Sequence, residues 1–309
     1  MSERRALVVI EATAGASTTA PGPLQDLAGR PVLQFLAQRL EPLARTDETT
    51  VVVACSDLPV DDAVVDLAAR LDLPTIRGRA GDVVGQLAIA FVRHPATELV
   101  HLRGDHPLHD PYVIRAAIDL HRTADADLTT NLLPRTYPRG LDVSVLSARA
   151  LSAAELEIST PAERATAARH VARRPDRFRL ASLSSGIDAS GERWTASTSS
   201  DLATLRALVG QVPDATSASW SRVLSVVGRS DKARPGELRL TAEAPPDPGA
   251  CPWVRRWTAS VDGAKVGEVS VSVGVGGRIE RTVAVGEPWT EPARAALYRL
   301  LLDDLQAGR

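Results

Sequence analysis

The first two hundred residues alternate between short β-branched apolar runs and longer segments whose apolar residues recur at helical spacing. The runs are ALVVI (6–10), TTVVVACS (49–56), LPTIRG (73–78), TELVHLRG (97–104) and ADLTTNLL (126–133). They are apolar on both faces, the pattern of strands in a mostly parallel sheet covered by helices on both sides. Helices are predicted at roughly 31–45, 60–71, 82–93 and 111–123, the first carrying Val32, Leu33, Phe35, Leu36, Leu40 and Leu43. Further on come a Pro-rich turn, PRTYPRG, a strand LDVSVLS, a helical stretch around 147–173 and a strand RFRLASL (177–183). A helix near 199–210 opens on Ser199, Ser200 and Asp201, residues with good capping chemistry.

The composition shifts near residues 213–250, where PDATSASWS and later EAPPDPGACP are turn-rich and polar. The remainder reads β-β-β-α: WTASVDG, KVGEVSVSV, RIERTVAV and a helix at 290–306, with Asp262-Gly263 as a hairpin turn. Two domains are therefore expected, 1–214 and a smaller α+β domain at 215–309, without internal repeats.

Composition narrows the function classes. Lys and Arg number 36 and Asp and Glu 38, a net charge of −2, so no chain-wide electrostatic grip on nucleic acid or anionic lipid is expected. Aromatics are 4% of residues, too few for a base-stacking platform. Two distant cysteines, Cys55 and Cys251, make neither a metal pair nor a disulfide framework, which fits a reduced, cytoplasmic setting. The start, MSERRALVVIEATAG, lacks the length of a signal peptide, and no apolar stretch approaches bilayer-spanning length.

In sheets of this kind, ligands bind at the carboxyl ends of the strands. Chemistry is thus expected in the loops after residues 10, 56 and 104. Several segments there and beyond carry a resemblance. They are VVIEATAGASTTAPGPLQDLAGRPVL, VVVACSDLPVDDAVVDLAARLDLPTIRGRAGDVV with its Gly-x-x-x-Asp-Val ending, and HLRGDHPLHDPYVI with Gly-Asp at a strand end. NLLPRTYPRGLDVSVLSARAL is the most specific of them, and RRPDRFRLASL and ERWTASTSSDLATLRAL follow. In order and spacing, residues 5–210 resemble the cytidylyltransferases that activate acidic and modified sugars, in the spore-coat polysaccharide SpsF-like branch. The resemblance implies a nucleotide-diphosphosugar transferase fold, a three-layer α/β sandwich.

It also implies a nucleotide loop at Ala12, Thr13, Gly15 and Thr18, with Asp82 nearby, and an acceptor side at Arg135, Tyr137, Arg139 and Asp142. Asp105 corresponds to the first carboxylate of a Mg²⁺ site, which the resemblance implies where a nucleotide binds. The charges that this chemistry needs are depleted. Two arginines and a lysine of the family's loop are Thr13, Thr18 and Gly22 here, and residues 11–24 hold no basic residue. The second metal carboxylate, in the family's Trp-Thr-x-Asp, falls on Ser197 of Trp194-Thr195-Ala196-Ser197. An acidic position two residues past Asp142 is Ser144, and a common arginine past Asp82 is Gln86. Nucleotidyl transfer is positioning plus charge neutralisation, so these losses act together.

Other residues admit two readings each. Asp105 is either a metal ligand or a strand-end cap, and Arg135 and Arg139 either bind an acidic acceptor or make internal salt bridges. His101, His106 and His109 match no zinc signature; His106 or His109 is expected to face the pocket or to sit partly exposed in the loop. The arginine run Arg164, Arg169, Arg173, Arg174, Arg177 and Arg179 reads as a solvated face. GAKVGEVSVSV, RIERTVAV and a helix after Trp289 resemble the strand-rich half of a GNAT acetyltransferase. The loop from Glu287 to Arg294 has none of the glycines with which such enzymes hold acetyl-CoA pyrophosphate. Oligomerisation or partner docking is the plainer role for that domain, with Trp253, Trp257 and Trp289 as core or interface anchors.

Three functions stay open from sequence. One is a degenerate cytidylyltransferase-like protein of carbohydrate or natural-product biosynthesis, binding a nucleotide or sugar ligand or serving as a partner subunit. Another is an active CTP-dependent enzyme acting on a sugar acid, with Arg79, Arg103, Arg135 or Arg139 serving the phosphates. The third places the activity in the C-terminal domain.

Overall fold

The computed structural model describes residues 5–14, 22–186, 188–230, 238–242, 254–261, 264–273 and 279–285. By internal contacts the chain divides into two units, Met1–Trp220 and Ser221–Arg309.

The first unit begins with β1 (Ala6–Glu11), the two-residue strands β2 (Asp26–Leu27) and β3 (Arg30–Pro31), and α1 (Val32–Ala44). Then follow β4 (Thr49–Ser56), α2 (Asp62–Arg70), β5 (Thr75–Gly78), α3 (Val83–Arg93), β6 (Glu98–Arg103) and α4 (Pro111–Thr123). Next are β7 (Leu128–Thr130), β8 (Ser144–Ser147), α5 (Ala148–Glu157), α6 (Pro161–Arg164), α7 (Ala167–Ala172), β9 (Leu180–Ser182) and α8 (Ser199–Val209).

Seven strands form one sheet in the order β5-β4-β1-β6-β8-β7-β9. All neighbours are parallel except at β8, which runs against both β6 and β7. Successive side chains of a strand point to opposite faces. On one face, Leu7 and Val9 of β1 join Val52, Ala54, Leu99, Leu128 and Leu146 in a core closed by Leu87 of α3, Leu151 of α5 and Val171 of α7. Val8 and Ile10 are equally buried on the other face, the side of α1 and α4. Both faces are therefore covered, which is why these strands read as unbroken apolar runs.

The helical stretch expected over 147–173 is three helices. Pro161, which lacks a backbone N–H, opens α6, and Thr166 in extended backbone separates α6 from α7. The cap of α8 is Thr198, whose Oγ1 accepts from the Asp201 amide at 3.1 Å, one residue ahead of the expected serines.

Helix α9 (Trp220–Ser230) opens on Trp220, the last residue of the first unit, and its other residues belong to the second, with an antiparallel sheet of β10 (Leu238–Ala242), β11 (Val254–Val261), β12 (Ala264–Val273) and β13 (Ile279–Val285), paired in chain order. Val261 pairs with Ala264, so only two residues join β11 to β12. Three of these strands match the sequence pattern and β10 adds a fourth. Residues 262–263, the predicted helix at 290–306 and the loop 287–294 lie outside the described residues.

Candidate functional site

The carboxyl ends of β1, β4 and β6 meet where the sequence placed chemistry. Leaving β1, the Ala12 amide donates to the Ala54 carbonyl at 2.8 Å, and the Gly104 amide donates to the Glu11 carbonyl at 2.7 Å. Gly104 has no room for a side chain: a Cβ there would lie 2.9 Å from both the Ala12 Cβ and the Glu11 carbonyl oxygen. Ala12 is buried and Thr13 exposed; Gly15 and Thr18 lie outside the described residues. Asp61 holds the loop from below, a role the sequence reading missed. Its Oδ1 accepts from the Ala14 amide at 2.6 Å, and its Oδ2 accepts from the Ser56 amide at 2.8 Å and the Ser56 hydroxyl at 2.5 Å. The available signal was an acidic residue in the short turn after β4.

Asp105, just past β6, is held on all sides. Arg103 donates from Nε to Oδ1 at 2.9 Å and from Nη2 to Oδ2 at 3.0 Å. The Ser197 hydroxyl donates to Oδ2 at 2.8 Å. His106 Nε2 stands 3.6 Å from Oδ1. Burial opposes ionisation of Asp105, but His106, the Arg103 guanidinium and the Ser197 hydroxyl together hold its carboxyl down at about 2. Beneath it, Glu11 and His101 pair at 2.9 Å. Burial would raise the Glu11 carboxyl, yet the bond to His101 keeps it below the usual range.

The segment carrying Ser197 is laid beside Asp105 by backbone bonds. The Ala196 amide donates to the Asp105 carbonyl and the Trp194 amide to the Arg139 carbonyl, both at 2.7 Å. Gly140, at φ +113°, allows this approach, since any Cβ there would run into the Trp194 carbonyl.

The four acceptor-side residues divide. Arg135 forks onto Asp142 at 2.5 and 3.1 Å, and this bond outweighs burial to lower the Asp142 carboxyl. Tyr137 is buried edge-on against Trp220, ring centroids 5.2 Å apart. Arg139 is exposed, with no ion-pair partner among the described residues. Asp82 caps α3 through the Gly85 amide at 2.8 Å and takes Arg164 Nε at 2.6 Å. Gln86 sends Nε2 back to the Arg79 carbonyl at 3.1 Å.

His106 and His109 are both buried, which removes the partly exposed alternative, and their ring centroids lie 5.6 Å apart. Burial pushes His109 down to about 3, so it is neutral. Among the described residues neither ring nitrogen of His109 has a hydrogen-bond partner, nor does Nδ1 of His106.

The donor set does not fit Mg²⁺. That ion takes oxygen ligands in octahedral array and needs anionic charge from carboxylates or phosphates. Both oxygens of Asp105 already accept from Arg103, and the neighbour facing them is a neutral serine hydroxyl. Among the described residues no three His, Cys, Asp or Glu side chains converge as a metal site. No helix among them is long and apolar enough to cross a membrane.

A mostly parallel α/β sheet with an aspartate at the end of its central strand pair defines a nucleotidyltransferase-like protein. Residues 16–172 match the cytidylyltransferase family, and the chain belongs to it. A 3-deoxy-manno-octulosonate cytidylyltransferase of Halorhodospira halophila (strain DSM 244 / SL1) is 33% identical over 142 residues, 44% of this chain and 52% of that protein. Its counterpart in Rhodospirillum centenum (strain ATCC 51521 / SW) is 33% identical over 131 residues, 41% and 49% of the two chains. The chain thus spans about half the length of the curated relatives it matches. Among solved structures, a cytidylyltransferase from Leptospira borgpetersenii serovar Hardjo-bovis (strain JB197) superposes with TM-score 0.67 at 23% identity, over 74% of this chain and 95% of that one. A CMP:2-keto-3-deoxy-manno-octonic acid synthetase complexed with CTP superposes with TM-score 0.50 at 19% identity, over 67% and 99%. These two likenesses establish the fold.

Proposed function

We propose that this chain is a cytidylyltransferase homologue, of the spore-coat polysaccharide branch, that no longer carries out Mg²⁺-dependent nucleotidyl transfer. It serves carbohydrate or natural-product biosynthesis as a ligand-binding or partner subunit. One observation carries the reading: the two oxygens of Asp105 are engaged by Arg103 and Ser197. A triphosphate brings several negative charges that must be neutralised in the transition state. Residues 11–24 add no cation to that task. The ligand side is supported by Thr13, exposed just past β1, by the exposed Arg139, and by Asp82, which keeps a fixed place at the start of α3.

The test is pyrophosphate release by the full chain from CTP and Mg²⁺, with 3-deoxy-manno-octulosonate and other acidic sugars as acceptors. No release above the protein-free rate is expected. Turnover that Asp105→Asn abolishes would establish the alternative, an active enzyme on a sugar acid, which the relatives' names favour.

A further inference from the structure

Arg103 is unusual among the arginines around the site. Arg135 and Arg193 also fork onto carboxylates, of Asp142 and Asp201. Only Arg103 reaches the aspartate at the strand end. It spends Nε and Nη2 on Asp105, while Nη1 has no partner among the described residues and half of the side chain is open to solvent. The Ser197 hydroxyl fixes the far side of the same carboxylate. The guanidinium is therefore oriented by two bonds, charged at any accessible pH, and still holds a donor that no described residue engages.

We propose that Arg103 is the resident cation of this site and that it binds a phosphate monoester, such as a nucleoside monophosphate or sugar phosphate, without a divalent metal. The inference rests on the function proposed above. The charges around the pair suit an anion. Asp105, Asp142 and Asp201 are each neutralised by an arginine, and Arg139, joined to the same segment through Trp194, adds an exposed positive charge. An oriented guanidinium with a free N–H is a strong phosphate donor. One phosphate matches that supply; a triphosphate exceeds it.

The account reverses the sign of one substitution. Where a metal bridges Asp105 to phosphate, Asp105→Asn removes the metal and the ligand together. Where Arg103 is the cation, Asp105 competes with the phosphate for the guanidinium, and Asp105→Asn strengthens binding. The experiment is calorimetric titration of the full chain with CMP, with Mg²⁺ and with chelator, and with inorganic phosphate as competitor. The expected results are equal affinity in both conditions, displacement by phosphate, tighter binding in Asp105→Asn, and about tenfold weaker binding in Arg103→Gln. If Asp105→Asn does not fold, the Mg²⁺ comparison and Arg103→Gln, at a half-exposed position, decide. Absence of CMP binding, or binding unchanged in Arg103→Gln, overturns this inference and leaves the non-catalytic reading standing. CMP binding that requires Mg²⁺ and vanishes in Asp105→Asn overturns both.

Discussion

The hydroxyl of Ser197 donates to Oδ2 of Asp105 at 2.8 Å, joining residues 92 positions apart in the chain. Two carboxylates at that separation would repel each other and invite a cation; a serine and a carboxylate bond directly. The pair Arg103→Met and Ser197→Asp should therefore convert the corner into a cation site. Paramagnetic resonance of added Mn²⁺ is expected to show binding to the double variant and none to the original protein. A folded double variant that binds Mn²⁺ no better than the original would mean that these two positions do not face a shared site.

Gly104 sets how closely the ends of β1 and β6 approach. Gly104→Ala places a methyl 2.9 Å from the Ala12 Cβ and the Glu11 carbonyl oxygen, one a side-chain atom fixed to the backbone and the other backbone itself. The strands must separate, at an expected cost of about 1–3 kcal/mol. Urea unfolding checks this; a variant as stable as the original would show that the loop yields freely.

Arg135 and Arg139 should behave oppositely. Arg135→Ala leaves the Asp142 carboxylate without its forked partner, at an expected cost of about 1–3 kcal/mol of stability. Arg139→Ala, at an exposed side chain with no ion-pair partner among the described residues, should change stability by less than about 0.5 kcal/mol while lowering affinity for an anionic ligand. Equal effects of the two on unfolding would remove the distinction.

Buried neutral histidines make the fold acid-sensitive. Burial lowers His109 from 6.5 to about 3. The unfolded chain takes up this proton below the ordinary value while the native state does not, so stability is full above that value and falls as pH drops toward about 3. His106 and His121 are shifted in the same direction by burial and add to the slope. His109→Leu removes a ring with two unpartnered nitrogens and should raise the melting temperature at mildly acidic pH more than at neutral pH. Parallel melting curves of the two proteins across that range would contradict this.

Much of the sheet was legible because its strands are buried on both faces: β4, β5, β6 and β7 each fall inside a predicted run, and β1 passes its run by Glu11 alone. The break of the 147–173 stretch was harder to read, since it depends on one proline and on threonines in extended backbone. β10 escaped because LRLTA is short and sits in turn-rich sequence. Within the site, the family resemblance set Asp105 and Ser197 at the two carboxylate positions of a metal site, the second lost to serine, and in the fold the two side chains hydrogen-bond. The burial of His106 and His109, the fork of Arg103 on Asp105 and the anchor at Asp61 depend on tertiary packing, which no local spacing encodes.

The most direct test is the dependence of CTP binding on Mg²⁺, measured by calorimetry on the full chain with the metal and again with chelator. The account predicts isotherms that superimpose, because Arg103 already occupies the carboxylate that a metal would need. Micromolar CTP binding that appears only with Mg²⁺ and disappears in Asp105→Asn would contradict it.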